Sequence, residues 1–183
     1  MLVWLAEYLT QYYSGFNVFS YLTLRAILGI LTALMMSLYF GPKLIRSLQK
    51  MQIGQVVRDD GPESHLSKKG TPTMGGVIIL GALIISTLLW ADLSNIYIWI
   101  VLYITFGFGL IGFIDDYLKI LKNNHKGLSG RLKLIFQMLI TIIAAIWIYF
   151  ISDKSLQGML AFPFLKETTL YLGFVLWCIF STL

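Results

Sequence analysis

Apolar positions in this chain gather into long unbroken runs rather than into alternating or one-sided patterns. Four of them, over residues 19–40, 74–93, 96–114 and 132–151, reach the roughly 20 mostly apolar residues that a membrane-spanning helix needs. A fifth run begins near residue 170 and reaches residue 183, and its fourteen residues are too few to cross unaided. The pattern predicts an all-α fold: a polytopic transmembrane helical bundle of about four complete spans and a truncated fifth, forming a single integral membrane domain over residues 1–183.

The polar interruptions refine this reading. Residues 22 to about 48 read as one long helix that continues past the bilayer, with Pro42 tolerated near its boundary. Residues 54–72 read as irregular backbone around the turn signal Asp59-Asp60-Gly61-Pro62, whose carboxylates are those of a solvated turn. The first 18 residues carry Trp4, Tyr8, Tyr12, Tyr13 and Phe16, the amphipathic rings of an interfacial lead-in. No Lys or Arg precedes the first run and Arg25 sits inside it, so it reads as a retained helix rather than a signal peptide. Arg25 is expected to snorkel to the interface, or else to meet a buried partner such as Glu7.

Composition agrees with the bilayer as solvent: 57% hydrophobic residues, 13% charged and a mean hydropathy of +0.77 exclude an ordinary water-soluble domain. A net charge of +5 would point to nucleic acid in a soluble chain, but here the charges follow the loops. Residues 43–73 hold six cations and residues 115–133 hold five, together eleven of the fourteen. By the positive-inside rule both loops are cytoplasmic and the N-terminus is outside, with the lipid bilayer as partner and no nucleic acid.

Two constellations carry candidate chemistry. Lys68-Lys69-Gly70-Thr71-Pro72-Thr73-Met74-Gly75-Gly76 places cations beside glycines whose N–H groups can cradle an anion, at the start of an apolar run. Adhesion to anionic lipid explains its charge but not its proline and glycines. Asp115 and Asp116 close another apolar run, where carboxylates are costly unless solvated, paired or metal-bound. Lys119 stands three and four residues beyond them, so ordinary helical ion pairs also fit. Adjacent helical residues point about 100° apart, so the two acids are expected to play different parts.

Other patterns dissolve on inspection. Gly107-Phe108-Gly109-Leu110-Ile111-Gly112 matches a dinucleotide fingerprint literally, yet lies within a span where small residues let helices approach. His65 and His125 lack the spaced partners of a metal site, and the single cysteine, Cys178, reads as a small apolar side chain.

Taken in order, Lys68 to Gly76, Gly112-Phe-Ile-Asp-Asp-Tyr117 and Gly54-Gln-Val-Val-Arg-Asp-Asp-Gly-Pro-Glu-Ser-His65 resemble the phospho-N-acetylmuramoyl-pentapeptide-transferase family. The resemblance implies a Mg2+-dependent transfer of phospho-N-acetylmuramoyl-pentapeptide from UDP-N-acetylmuramoyl-pentapeptide to undecaprenyl phosphate, giving lipid I and UMP in peptidoglycan synthesis. The setting it implies is the cytoplasmic face of a bacterial inner membrane; a homodimer is one candidate assembly. It makes Asp115 the candidate for deprotonating or orienting the lipid phosphate and Asp116 the candidate for the metal or phosphate site. Lys68 and Thr73 match positions near the nucleotide, while Lys119, Lys126 and Arg131 are candidates for phosphate contact.

Family members are longer, with further spans, an Asn-Ala-Val-Asn-Leu-Thr-Asp-Gly-Leu-Asp-Gly motif, a later metal-binding Asp and a His-rich loop. The chain is therefore expected to be the N-terminal half of a longer enzyme and inactive alone. A related transferase for another UDP-sugar shares the acids and basic loops, and a membrane scaffold or transporter subunit shares the spans. A carrier path, however, calls for polar groups near the bilayer midplane rather than at one surface.

Overall fold

A computed structural model describes residues 1–50, 74–121, 127–154, 157–162 and 165–182. It contains helices α1 (Leu2–Thr10), α2 (Leu22–Lys50), α3 (Gly76–Trp90), α4 (Ile96–Leu121), α5 (Gly130–Ile151) and α6 (Gly173–Thr182), with a 3₁₀ turn at Ser14–Ser20 and strands β1 (Met159–Phe162) and β2 (Leu165–Tyr171). Helices α2, α4 and α5 are long and apolar enough to cross a membrane. With the shorter apolar α3 beside them, they make the chain a multi-pass helical membrane bundle.

Consecutive helices pack as neighbours: α2 against α3, α3 against α4, α4 against α5, and α5 against α6. Without a hydrophobic drive between helices in lipid, close approach and polar clips decide where they touch. The clip between α2 and α3 is the Trp90 indole N–H, which donates to the Thr32 hydroxyl at 2.9 Å. Between α3 and α4 the Leu80 side chain fills the place a Cβ on Gly109 would take, and a Cβ on Gly107 would lie 2.8 Å from Ile140 of α5. The two glycines therefore serve helix packing. Buried Ile100 of α4 and Ala144 and Ala145 of α5 continue the contact away from the glycines, where Tyr103 meets Trp147 edge-on at 6.2 Å. Tyr149 carries the packing on to α6 through Phe174 at 4.8 Å.

Helix α2 runs unbroken through Pro42, as its apolar pattern predicts. The N-terminal segment is helical and folded back: Val3 and Ala6 are buried, the terminal amine donates to Leu88 O at 3.2 Å, and Trp4, Tyr8, Tyr12 and Tyr13 stay exposed.

Two expectations change. The run over residues 74–93 yields a helix of only 15 residues, because Met74 takes a left-handed φ of 72° before α3 and Ala91 turns extended after it. Asp92 then fixes the turn by accepting from the Ser94 N–H and hydroxyl. The fifth run also starts late. Residues 165–171 lie in β2, and α6 begins at Gly173, whose φ of 68° is available to glycine at little cost. Strands β1 and β2 pair antiparallel, Met159 opposite Tyr171, with a register shift after Ala161. A two-stranded hairpin is marginal alone, and the contact of β1 with α6 supports it.

Candidate functional site

The site is built where α4 ends and α5 begins. Ser129 caps α5, its hydroxyl accepting from the Leu132 N–H at 3.4 Å, and this entry turn lies against the last turns of α4. Asp115 is the joint. It is 6% exposed; its Oδ1 accepts from the Leu128 N–H at 2.7 Å, and its Oδ2 meets Lys119 Nζ at 2.8 Å and Lys133 Nζ at 2.9 Å. One buried carboxylate thus receives a backbone donor and two ammonium groups from three places in the chain. Gly127 is part of the same joint, because a Cβ there would run into the Asp115 carboxylate.

Asp116 faces elsewhere, as the 100° rotation between neighbours requires. Its side chain is 33% exposed and its Oδ1 accepts from Lys119 at 2.9 Å. Lys119 therefore bridges both acids. Arg131 is exposed on the first turn of α5 and forms no ion pair among the described residues.

Asp116 also borders a cleft of about 530 Å³ between α3 and α4. Its walls include Met74 and Gly76 at the start of α3, and Gly109, Gly112 and Phe113 of α4, with Leu80 and Leu83 supplying apolar lining. Segments about forty residues apart in sequence, singled out there for separate reasons, line one space. Among the described residues a Cβ on Gly75 or Gly76 would meet nothing within 4 Å.

The donor set bears on Mg2+. This ion takes oxygen ligands and is commonly held by one or two carboxylates together with water and substrate phosphates. Asp115 does not fit as a ligand in this geometry, because both of its oxygens already face donors. Asp116 fits as a single ligand through its second oxygen, and no cluster of three metal-binding side chains occurs among the described residues.

Of the residues expected from sequence, Asp115, Asp116 and Lys119 come together and Arg131 stands nearby on α5. Lys68, Thr73 and Lys126 lie outside the described residues, as do Asp59, Asp60, His65 and His125. Lys133 is in sequence only one of the loop's cations, and the part it plays joins two helices, which no local spacing reveals. The Ser129 cap just before an apolar run was the available signal for where α5 begins.

A family model for phospho-N-acetylmuramoyl-pentapeptide-transferase signature 1 matches residues 68–80. Residues 76–80 of that match form the start of α3, on the wall of the cleft that Asp116 borders.

Proposed function

We propose that this chain, carrying that transferase signature, serves the transfer of phospho-N-acetylmuramoyl-pentapeptide from its UDP carrier to undecaprenyl phosphate, with lipid I and UMP as products. The observation that carries the reading is the shared cleft: the signature segment and Asp116, which Lys119 ties to Asp115, border one space whose wall is apolar and whose edge is charged. A lipid phosphate has both characters.

In the proposed reaction an oxygen of the lipid phosphate bonds to the phosphorus that bears the sugar, and the bridging P–O bond to UMP breaks. Two anions must approach, so cations and alignment supply most of the rate. Lys119 is the central cation. An incoming phosphate competes with Asp115 and Asp116 for its ammonium and releases carboxylate oxygens as it binds. Asp115 orients the attacking phosphate or takes its proton once a lysine has turned away. Asp116 offers an oxygen to Mg2+, which when bound supplies charge neutralisation for the leaving UMP. Lys68 and Thr73 are proposed to bind near the nucleotide, and Lys126 and Arg131 to meet phosphate oxygens. The positive-inside rule supports setting this face on the cytoplasmic side, and the proposed reaction sets the chain in a bacterial inner membrane.

The test is UMP release by the intact gene product with undecaprenyl phosphate, Mg2+ and either UDP-N-acetylmuramoyl-pentapeptide or UDP-N-acetylglucosamine. Release with the first supports the proposal. Release only with the second gives the site to a related transferase, and solute movement without UMP release would make it a carrier.

A further inference from the structure

A second cleft, of about 740 Å³, opens at the opposite end of α3, between the beginning of α2, the end of α3 and the Asp92 turn. Three observations mark it as built for a ligand. Arg25 lines it, and its Nε is buried without a hydrogen-bond partner among the described residues. An orphaned donor on a charged group costs on the order of 1–3 kcal/mol or more, so the position calls for an acceptor. Among the described residues no acceptor lies within hydrogen-bond or ion-pair distance of Arg25; Asp92, which lines the same cleft, acts on it only at longer range, its Oδ1 taken by Ser94.

The remaining wall is mainly apolar, with Ser37, Ser86, Thr87 and Asn95 as its polar members. Ala26, Gly29 and Ala33 recur at helical spacing along α2 and face Leu83 and Trp90 of α3 across the cleft. On α2 these small residues alternate with Leu22, Ile30 and Leu34, and the cleft runs along them as a slot leading away from the cation. The volume falls within the roughly 300–1,000 Å³ of ligand-binding cavities.

We propose that this cleft binds an anionic phospholipid, its phosphodiester on Arg25 and one acyl chain in the slot beside Ala33. Charge and shape select this occupant. A phosphodiester stays negative at neutral pH and offers two oxygens to a guanidinium edge, and an acyl chain needs no polar partner in the slot. A zwitterionic phospholipid would bring an ammonium close to Arg25. The inference does not rest on the transferase reading: the Arg25 end of the cleft lies at the other end of α3 from Met74 and Gly76, and the two clefts meet only at Ile79 and Leu83.

Native mass spectrometry of the intact gene product, titrated with phosphatidylglycerol and with phosphatidylethanolamine, tests it. The expected result is preferential retention of phosphatidylglycerol, a loss of about tenfold in its affinity for Arg25→Gln, equivalent to about 1.4 kcal/mol, and unchanged phosphatidylethanolamine binding. Ala33→Leu, which keeps the cation and fills the slot, should weaken both lipids and guards against a folding defect in the first variant. Equal phosphatidylglycerol affinity in wild type and Arg25→Gln would overturn the proposal. So would the absence of any preference between the two lipids, or a cross-link showing that a protein segment or a second copy occupies the Ala26–Ala33 wall.

Discussion

Asp115 on α4 and Lys133 on α5 are 2.9 Å apart and form the ion pair that ties these two helices at the candidate site. Lys119 completes the arrangement from within α4, so the buried acid balances two cations rather than one. Asp115→Asn keeps the size and the acceptor for Leu128 but removes the charge. The lysines are 33% and 36% exposed, so water screens part of the loss and the cost falls to about 1–3 kcal/mol, below that of breaking a fully buried pair. Thermal unfolding in detergent should show the drop, and Lys133→Met should lower stability in the same direction. An unchanged melting temperature for both variants would mean that this joint holds nothing together.

Asp116 should separate chemistry from stability. With a third of its side chain exposed and one bond to Lys119, Asp116→Asn should leave the stability within about 0.5 kcal/mol of wild type, as read from thermal unfolding. Turnover of the intact gene product should fall by about 100-fold, which corresponds to about 2.7 kcal/mol of transition-state stabilisation. Steady-state UMP release measures it. Turnover close to wild type would withdraw Asp116 from the reaction.

The glycines of α4 give a graded packing test. Gly109→Ala must displace Leu80 and should destabilise the bundle by about 1–3 kcal/mol. Gly112→Ala meets nothing within 4 Å among the described residues, so it should be neutral or, through helix propensity, stabilising by up to about 1 kcal/mol. Heat-induced unfolding of the two variants side by side decides the matter, and equal losses would remove the special closeness assigned to Gly109.

At the far end of the bundle, Asp92 should titrate below the ordinary carboxylate range. The Ser94 hydroxyl bond is the main cause, followed by the Ser94 N–H, and together with the Arg25 charge they outweigh partial desolvation. Because the folded pKa is depressed, the associated stability is present above the unfolded value of 3.8 and is lost as pH falls through the folded one. Ser94→Ala should raise the Asp92 midpoint. A carbon-detected NMR titration of the Asp92 carboxyl follows it, and an identical midpoint in the variant would exclude the hydroxyl as the cause.

Sequence made some of this plain and hid the rest for physical reasons. Helix α2 was legible through Pro42 because its apolar run is long, and the packing use of Gly107 and Gly109 was legible because no strand precedes them. The ends of α3 were not. Hydropathy continues through Met74 and past Trp90, while the helix is stopped by backbone conformation at Met74 and by the Asp92 side chain. The hairpin was missed because Leu170 and Tyr171 read as the start of an apolar run, and strand pairing across a turn leaves no mark in hydropathy. At the site, Asp115, Asp116 and Lys119 share one helix and could be grouped by spacing. Lys133 acts across a chain reversal, and only the fold brings it in.

The unequal lengths of α2 and α3 bear on the bilayer itself. Helix α3 is 15 residues long, about 22 Å at 1.5 Å per residue, against a hydrocarbon core of roughly 30 Å. Its neighbour α2, at 29 residues, exceeds that thickness. A short apolar helix beside longer ones draws the membrane thin along its flank, at a cost of fractions of a kcal/mol per ångström of mismatch. The cleft that Asp116 borders opens beside the start of α3, where such a dimple would let headgroups descend. A membrane-bound phosphate would then reach the carboxylate by sinking with its leaflet, rather than by being lifted out of it.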